Sequence, residues 1–119
     1  MEVLLAKQCI PCTIDTPPLE ADEIQRLKPQ LHSDWTVLED KQLERRFKFK
    51  DFVSALEFVN RIGLLAEEEG HHPVITLSWG KVVVDWWTHE IRGLHPNDFI
   101  MAARSDQAYK EDHFEKPKG

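Results

Sequence analysis

At 119 residues, with 41% hydrophobic and 30% charged side chains, the chain has the length of one domain and enough apolar surface for a modest core without disulfide or metal staples. Its formal net charge of -6 excludes the usual grip on nucleic acid, in which clustered Lys and Arg neutralise phosphates. Apolar runs such as residues 82–84 fall far short of a membrane span, and the first residues lack a signal-peptide core, so a soluble, cytoplasmic protein is predicted.

Both cysteines lie in Cys9-Ile10-Pro11-Cys12, a spacing that suits a redox pair or half of a zinc site. No second Cys pair completes four ligands, and no strand-helix setting of a thiol oxidoreductase surrounds them, so they read as reduced thiols on a flexible N-terminal arm. After the Pro17-Pro18 break, Ile24, Leu27 and Leu31 recur at helical spacing with Glu20, Asp22 and Glu23 at the start, and Pro29 bends or ends that helix. Residues 35–40 form a predicted strand, and Leu43, Phe47 and Phe49 then alternate with Glu44, Arg46 and Lys48, so a hairpin turns near Asp40-Lys41. Asp51 suits an N-cap for a helix whose apolar face runs through Phe52, Ala55, Leu56, Val59, Ile62 and Ala66 and stops at Gly70. Residues 74–79 and 81–89, rich in β-branched and aromatic side chains, form a second hairpin about Gly80. Pro96 opens a last helix through Asp98, Phe99, Ile100, Ala102 and Ala103, and the polar residues 110–119 are left without structure.

The order is therefore αββαββα in one domain spanning 1–119, with its core over about 19–107. An α+β fold follows, a four-stranded antiparallel sheet with three helices packed on one face and the other face open. Alternation along the last strand puts Val82, Val84, Trp86 and Thr88 toward the core and Val83, Asp85, Trp87 and His89 on the opposite side. Trp79, in phase with Ile75 and Leu77, reads as core.

The most unusual local feature is Glu67 followed by Gly70-His71-His72-Pro73, where a helix ends and a strand begins. Pro73 disfavours helical backbone at His72, so the chain extends there and the two imidazoles diverge. A tight hairpin about Gly80 returns His89 toward the same region. Imidazoles titrate near neutral pH, which suits convergent histidines to general acid-base work, with Glu67 orienting or tuning one of them. Solvent-facing histidines and a solvated run over Glu67, Glu68 and Glu69 are the plain alternative. Three histidines and an acid are also able to hold zinc, but adjacent histidines chelate poorly, and no metal is assigned.

Taken together, Glu67, His71-His72-Pro73, Trp79, Thr88-His89 and Asp98 resemble the pterin-4a-carbinolamine dehydratase family, in which such residues recur in this order. Phe47-Lys48-Phe49-Lys50-Asp51-Phe52 and Gly93-Leu94 extend the resemblance over roughly residues 19–105. It implies dehydration of 4a-hydroxytetrahydrobiopterin to quinonoid dihydropterin without metal or organic cofactor, in recycling the pterin used by an aromatic amino acid hydroxylase. It further implies His71 and His89 as the acid-base pair, His72 as a substrate-binding group and Glu67 as the residue that tunes a histidine. Gly70, Trp87, Thr88 and Glu90 would flank the pterin; for Trp87, packing at a subunit interface is equally consistent. Asp98, in a first helical turn, suits a cap as well as a site contact.

Gly70, where an acid often precedes the histidines, and the Trp86-Trp87 pair depart from the more familiar animal sequences and bear on the pocket rather than the histidine set. The resemblance leaves two other functions open, a binding partner of a dimeric transcription factor and an enzyme on another pterin such as one of molybdopterin metabolism. A homodimer or homotetramer is expected on either reading.

Overall fold

Residues 17–111 are described by the computed structural model, and Cys9 and Cys12 lie outside them. Helix α1 (Ala21–Leu27) passes into a 3-10 turn at Lys28–Gln30, where Pro29 ends the regular helix. Strands β1 (Thr36–Leu38) and β2 (Gln42–Lys48) follow, then α2 (Phe52–Glu69), β3 (Val74–Ser78), β4 (Lys81–Trp86), a 3-10 turn at His89–Ile91 and α3 (Pro96–Glu111). The fold is α+β, three helices and one antiparallel sheet in the order β1-β2-β4-β3. Each hairpin is local; what joins them is the pairing of β2 with β4, from Leu43 opposite Trp86 to Lys48 opposite Lys81.

The turns have local causes. Glu39 and Asp40 both take left-handed backbone, and Lys41 N–H donates to Leu38 O at 2.9 Å, which closes the first hairpin with the twist that antiparallel strands favour. At the second, Gly80 has φ 64°, and an added Cβ would lie 3.1 Å from Phe49 O, so both backbone and space select glycine. Asp51 caps α2 by accepting from Ser54 N–H at 2.8 Å, a contact that holds its carboxyl below the usual range.

The core forms between the sheet face carrying Leu43, Phe47, Val82, Val84 and Trp86 and the helix residues Phe58, Ile62, Phe99 and Met101, all fully buried. Phe47 meets Phe58 at 4.6 Å and Tyr109 at 5.0 Å between ring centroids. Burying each such ring is worth about 1.5–3 kcal/mol, with about 0.5–1.5 kcal/mol more for each well-placed aromatic pair. Arg45 shares this face. Its NH1 donates to Asp106 Oδ1 at 2.6 Å, its guanidinium lies 4.4 Å from the Phe47 ring centre, and Trp35 Nε1 donates to the same carboxylate at 2.9 Å. Burial pushes the Asp106 carboxyl up while Arg45 and Trp35 draw it down.

Four expectations need correction. The buried stripe of α2 is Ala55, Phe58, Ile62 and Ala66, which leaves Phe52 and Leu56 exposed about a quarter-turn away. Trp79 is 73% exposed, because β3 ends at Ser78 and Trp79 stands in the turn, where strand alternation no longer sets direction. Strand β4 ends at Trp86 rather than at His89, since the chain coils there into the 3-10 turn. Helix α3 carries Lys110 and Glu111, beyond the expected end, with Tyr109 OH anchored on Lys48 O at 2.7 Å. Among the described residues no helix is long and apolar enough to cross a membrane.

Candidate active site

The site begins where α2 stops. Gly70 takes the left-handed conformation at φ 65°, and both its N–H and that of His71 bond to Ala66 O, the second at 3.1 Å. This Schellman closure satisfies the helix end and turns the chain sharply, so that His71 points back over the sheet. Its ring lies parallel to that of Trp86, centroids 5.7 Å apart with a 7° tilt, and Trp86 is itself fixed by Nε1 donating to Ser105 Oγ at 3.2 Å.

His71 Nε2 meets Asp98 Oδ1 at 2.6 Å, with the two side chains 12% and 0% exposed. The other oxygen of Asp98 accepts from Thr88 Oγ1 at 2.8 Å and from His95 N–H at 2.9 Å. Three donors on two oxygens are what a carboxylate requires to be buried at low cost. A carboxylate on Nε2 keeps the ring proton there, so Nδ1 of His71 is the nitrogen left to exchange a proton. Asp98 thus closes the first turn of α3 and bonds His71 with the same carboxylate. Thr88, also buried, stands behind His71 rather than at the surface.

His72 diverges from His71, as the Pro73 constraint requires, and its Nε2 pairs with Glu67 Oε2 at 2.5 Å on the exposed side of the helix end. Glu67 therefore partners His72 and not His71. His89 is exposed in the 3-10 turn, its ring 4.5 Å from that of Trp87, and Glu90 beside it is exposed as well. The loop carrying them is pinned by Thr88 N–H to Gly93 O at 2.9 Å, with Arg92 in left-handed backbone between. His71, Thr88 and Asp98 are drawn together by direct bonds; His72 with Glu67 and His89 with Trp87 form two further pairs on the chain segments that flank them.

Sequence reasoning passed over His95, which is 4% exposed and accepts from Asn97 N–H at Nδ1, 3.0 Å away. Burial lowers its basicity, with Asp98 opposing and His71 reinforcing that shift. The available signal was its place directly before Pro96, where a helix cap belongs. Trp86, a core residue by strand alternation and one of the Trp86-Trp87 pair expected to bear on the pocket, stacks one face of its ring on His71.

The sequence profile described as pterin 4 alpha carbinolamine dehydratase matches residues 17–108. A provisionally named pterin-4-alpha-carbinolamine dehydratase of Alkaliphilus metalliredigens is 53% identical over 111 residues, covering 93% of this chain and all of the relative. Another so named, from Nitrosococcus oceani, is 50% identical over 92% of this chain and 99% of its own length. Among solved structures, a transcriptional coactivator/pterin dehydratase from Brucella melitensis superposes with a TM-score of 0.71 at 29% identity, over 76% of this chain and 97% of that one. A pterin dehydratase-like protein identified as a RuBisCO assembly factor in the alpha-carboxysome shares the fold, with TM-score 0.56 at 24% identity over 65% of this chain and 94% of that one.

Proposed function

The chain belongs to the pterin-4a-carbinolamine dehydratase family, and from that premise we propose that it converts 4a-hydroxytetrahydrobiopterin to quinonoid dihydropterin and water by histidine acid-base catalysis. The observation that carries this reading is the contact of His71 with the buried Asp98, 2.6 Å long and closed on its far side by Thr88 and His95. Such a partner fixes one ring nitrogen and supports charge on the ring, leaving the other nitrogen to move a proton.

The reaction asks for two proton transfers. The lone pair of the pterin nitrogen next to C4a expels the hydroxyl, which leaves as water after receiving a proton; that same nitrogen then gives up its own proton to a base. No net proton is consumed. His71 and His89 serve as this acid-base pair, each worth about 10²-fold or more in rate. His72, held by Glu67, binds substrate, while Gly70, Trp87 and Glu90 line the approach to it. Asp98 and Thr88 act through His71. The residues themselves supply the acid and the base, so neither metal nor organic cofactor enters the scheme.

The physiological setting on this reading is recycling of tetrahydrobiopterin after an aromatic amino acid hydroxylase. Self-association belongs to it too: Val53, Leu56 and Leu64 expose an apolar stripe on α2 of the kind that a homodimer or homotetramer covers. The test is the decay of freshly generated 4a-hydroxytetrahydrobiopterin, followed by ultraviolet absorbance in chelating buffer with and without protein. Acceleration that disappears in the His71→Ala, His89→Ala double variant is expected. No acceleration by the folded protein would refute the proposal.

A further inference from the structure

The start of α3 is tied to the His71 contact through one residue. His95 N–H donates to Asp98 Oδ2 at 2.9 Å, and Asp98 N–H returns a bond to His95 O at 2.9 Å. The same residue caps with its side chain, since Asn97 N–H donates to His95 Nδ1 at 3.0 Å. That position is normally filled by the oxygen of Ser, Thr, Asp or Asn, none of which gains a donor near neutral pH. An imidazole accepts only at a nitrogen without a proton, so this cap exists only while the ring is neutral with its hydrogen on Nε2. A second proton would turn Nδ1 into a donor facing the Asn97 N–H.

We propose that His95 is a positioning residue: its neutral ring caps α3 and so holds Asp98 against His71, and a proton on His95 opens the cap and frees His71 from its partner. The chain of contacts is short. Oδ2 of Asp98 is fastened to the His95 main chain while Oδ1 meets His71 at 2.6 Å, so a displaced first turn moves both oxygens together. The ring is 4% exposed, which leaves water little access to relieve a donor-donor clash. Two titratable groups act on it, Asp98 from α3, which favours the proton, and His71 from the α2–β3 connection, which opposes it.

Burial places the neutral form in charge at neutral pH by lowering the His95 basicity. The sign follows: the unfolded chain binds this proton more readily than the folded one, so stability is held above the ordinary histidine range and lost as pH falls from that range toward the lowered value. Acid then weakens the cap and the His71 contact in one step.

This inference rests on the dehydratase reading for its effect on turnover but not for its geometry, and the experiment separates the two. Amide exchange and histidine-ring nitrogen shifts of the full chain would be followed by NMR from about pH 7.5 to about pH 5 in the parent, His95→Ser and His95→Ala. In the parent, protection at Asn97 and Asp98, corrected for intrinsic exchange, should fall about fivefold through the acid step, the loss of one cap. The His71 ring-nitrogen shifts should change in the same step, as Asp98 withdraws from Nε2. His95→Ser keeps an acceptor that takes no proton, so it should abolish the acid-dependent loss and the accompanying change at His71; His95→Ala should exchange fast throughout. Parent amides unchanged through acid, or a Ser variant that keeps the acid step, would overturn the proposal. With substrate, the acid limb of kcat/KM should be shallower in His95→Ser than in the parent. Absence of turnover in all three proteins would refute the dehydratase reading alone, while amide exchange and the ring-nitrogen shifts still decide the cap.

Discussion

Replacing Asp98 with Asn changes one atom at the centre of the site and tests whether its charge, rather than its shape, holds His71. Thr88 Oγ1 and His95 N–H, at 2.8 Å and 2.9 Å, both donate to Oδ2, so the amide oxygen of the variant must take that place. Its NH2 group is then turned toward His71 Nε2, which sits 2.6 Å from Oδ1 in the parent. A donor there forces the ring proton onto Nδ1, the nitrogen proposed to exchange protons. One charge-assisted bond becomes a neutral one, a loss of about 1–1.5 kcal/mol. For a chain of this length that corresponds to a fall in Tm of about 3–6 °C, small enough to leave the fold populated. Turnover should drop by at least about 10²-fold, because the ring is in the wrong tautomer and lacks support for its positive charge. Thermal unfolding by circular dichroism, ring nitrogen shifts and dehydration rates are to be measured on the same sample. Parent-like turnover with the proton on Nδ1 would refute the argument that Asp98 works by fixing the His71 tautomer.

His72→Ala should raise KM more than it lowers kcat, since His72 and Glu67 form an exposed pair apart from Asp98; an equal fall in kcat and kcat/KM would move His72 into the proton-transfer step. Arg45→Met removes the partner of Asp106 from a site where the two side chains are 7% and 17% exposed, and should cost about 3 kcal/mol in urea unfolding. The double variant Arg45→Met, Asp106→Leu should recover much of that loss; no recovery would mean that the ion pair itself, not the stranded acid, stabilises. On the open sheet face, Glu44 stands opposite Asp85, and the hydrogen bond between their carboxyls, with burial, pushes Glu44 up. Here the folded state holds the proton longer than the unfolded one, so this contribution is present below the ordinary carboxylate range and lost as pH rises through the raised value. Glu44→Gln should remove that slope from the pH dependence of the urea midpoint, and an unchanged slope would assign it elsewhere.

Much of the site was legible because its causes are local. Gly70 before His71-His72-Pro73 announces a left-handed stop followed by extended chain, and both features stand in the structure with the imidazoles diverging. What could not be read is which acid serves which histidine. Glu67, five residues from His72, was the visible candidate for orienting a histidine; the acid on His71 is Asp98, 27 residues away and brought there by α3. His95 escaped notice because imidazole is an uncommon cap, and only its contact with Asn97 N–H shows it acting as one.

By itself the sequence determined the order of elements, the turns at Asp40, Gly70 and Gly80, and the inward face of β4. These depend on steric preferences within a few residues and on the two- or 3.6-residue period with which apolar side chains reach one side. Tertiary structure decided the rest. The join of β2 to β4, the burial of Arg45 beside Asp106, the exposure of Trp79 and the meeting of His71 with Asp98 all depend on which distant surfaces close on each other. A buried charge is tolerated only where its partner arrives from another element, and the spacing of residues along one chain carries no record of that arrival.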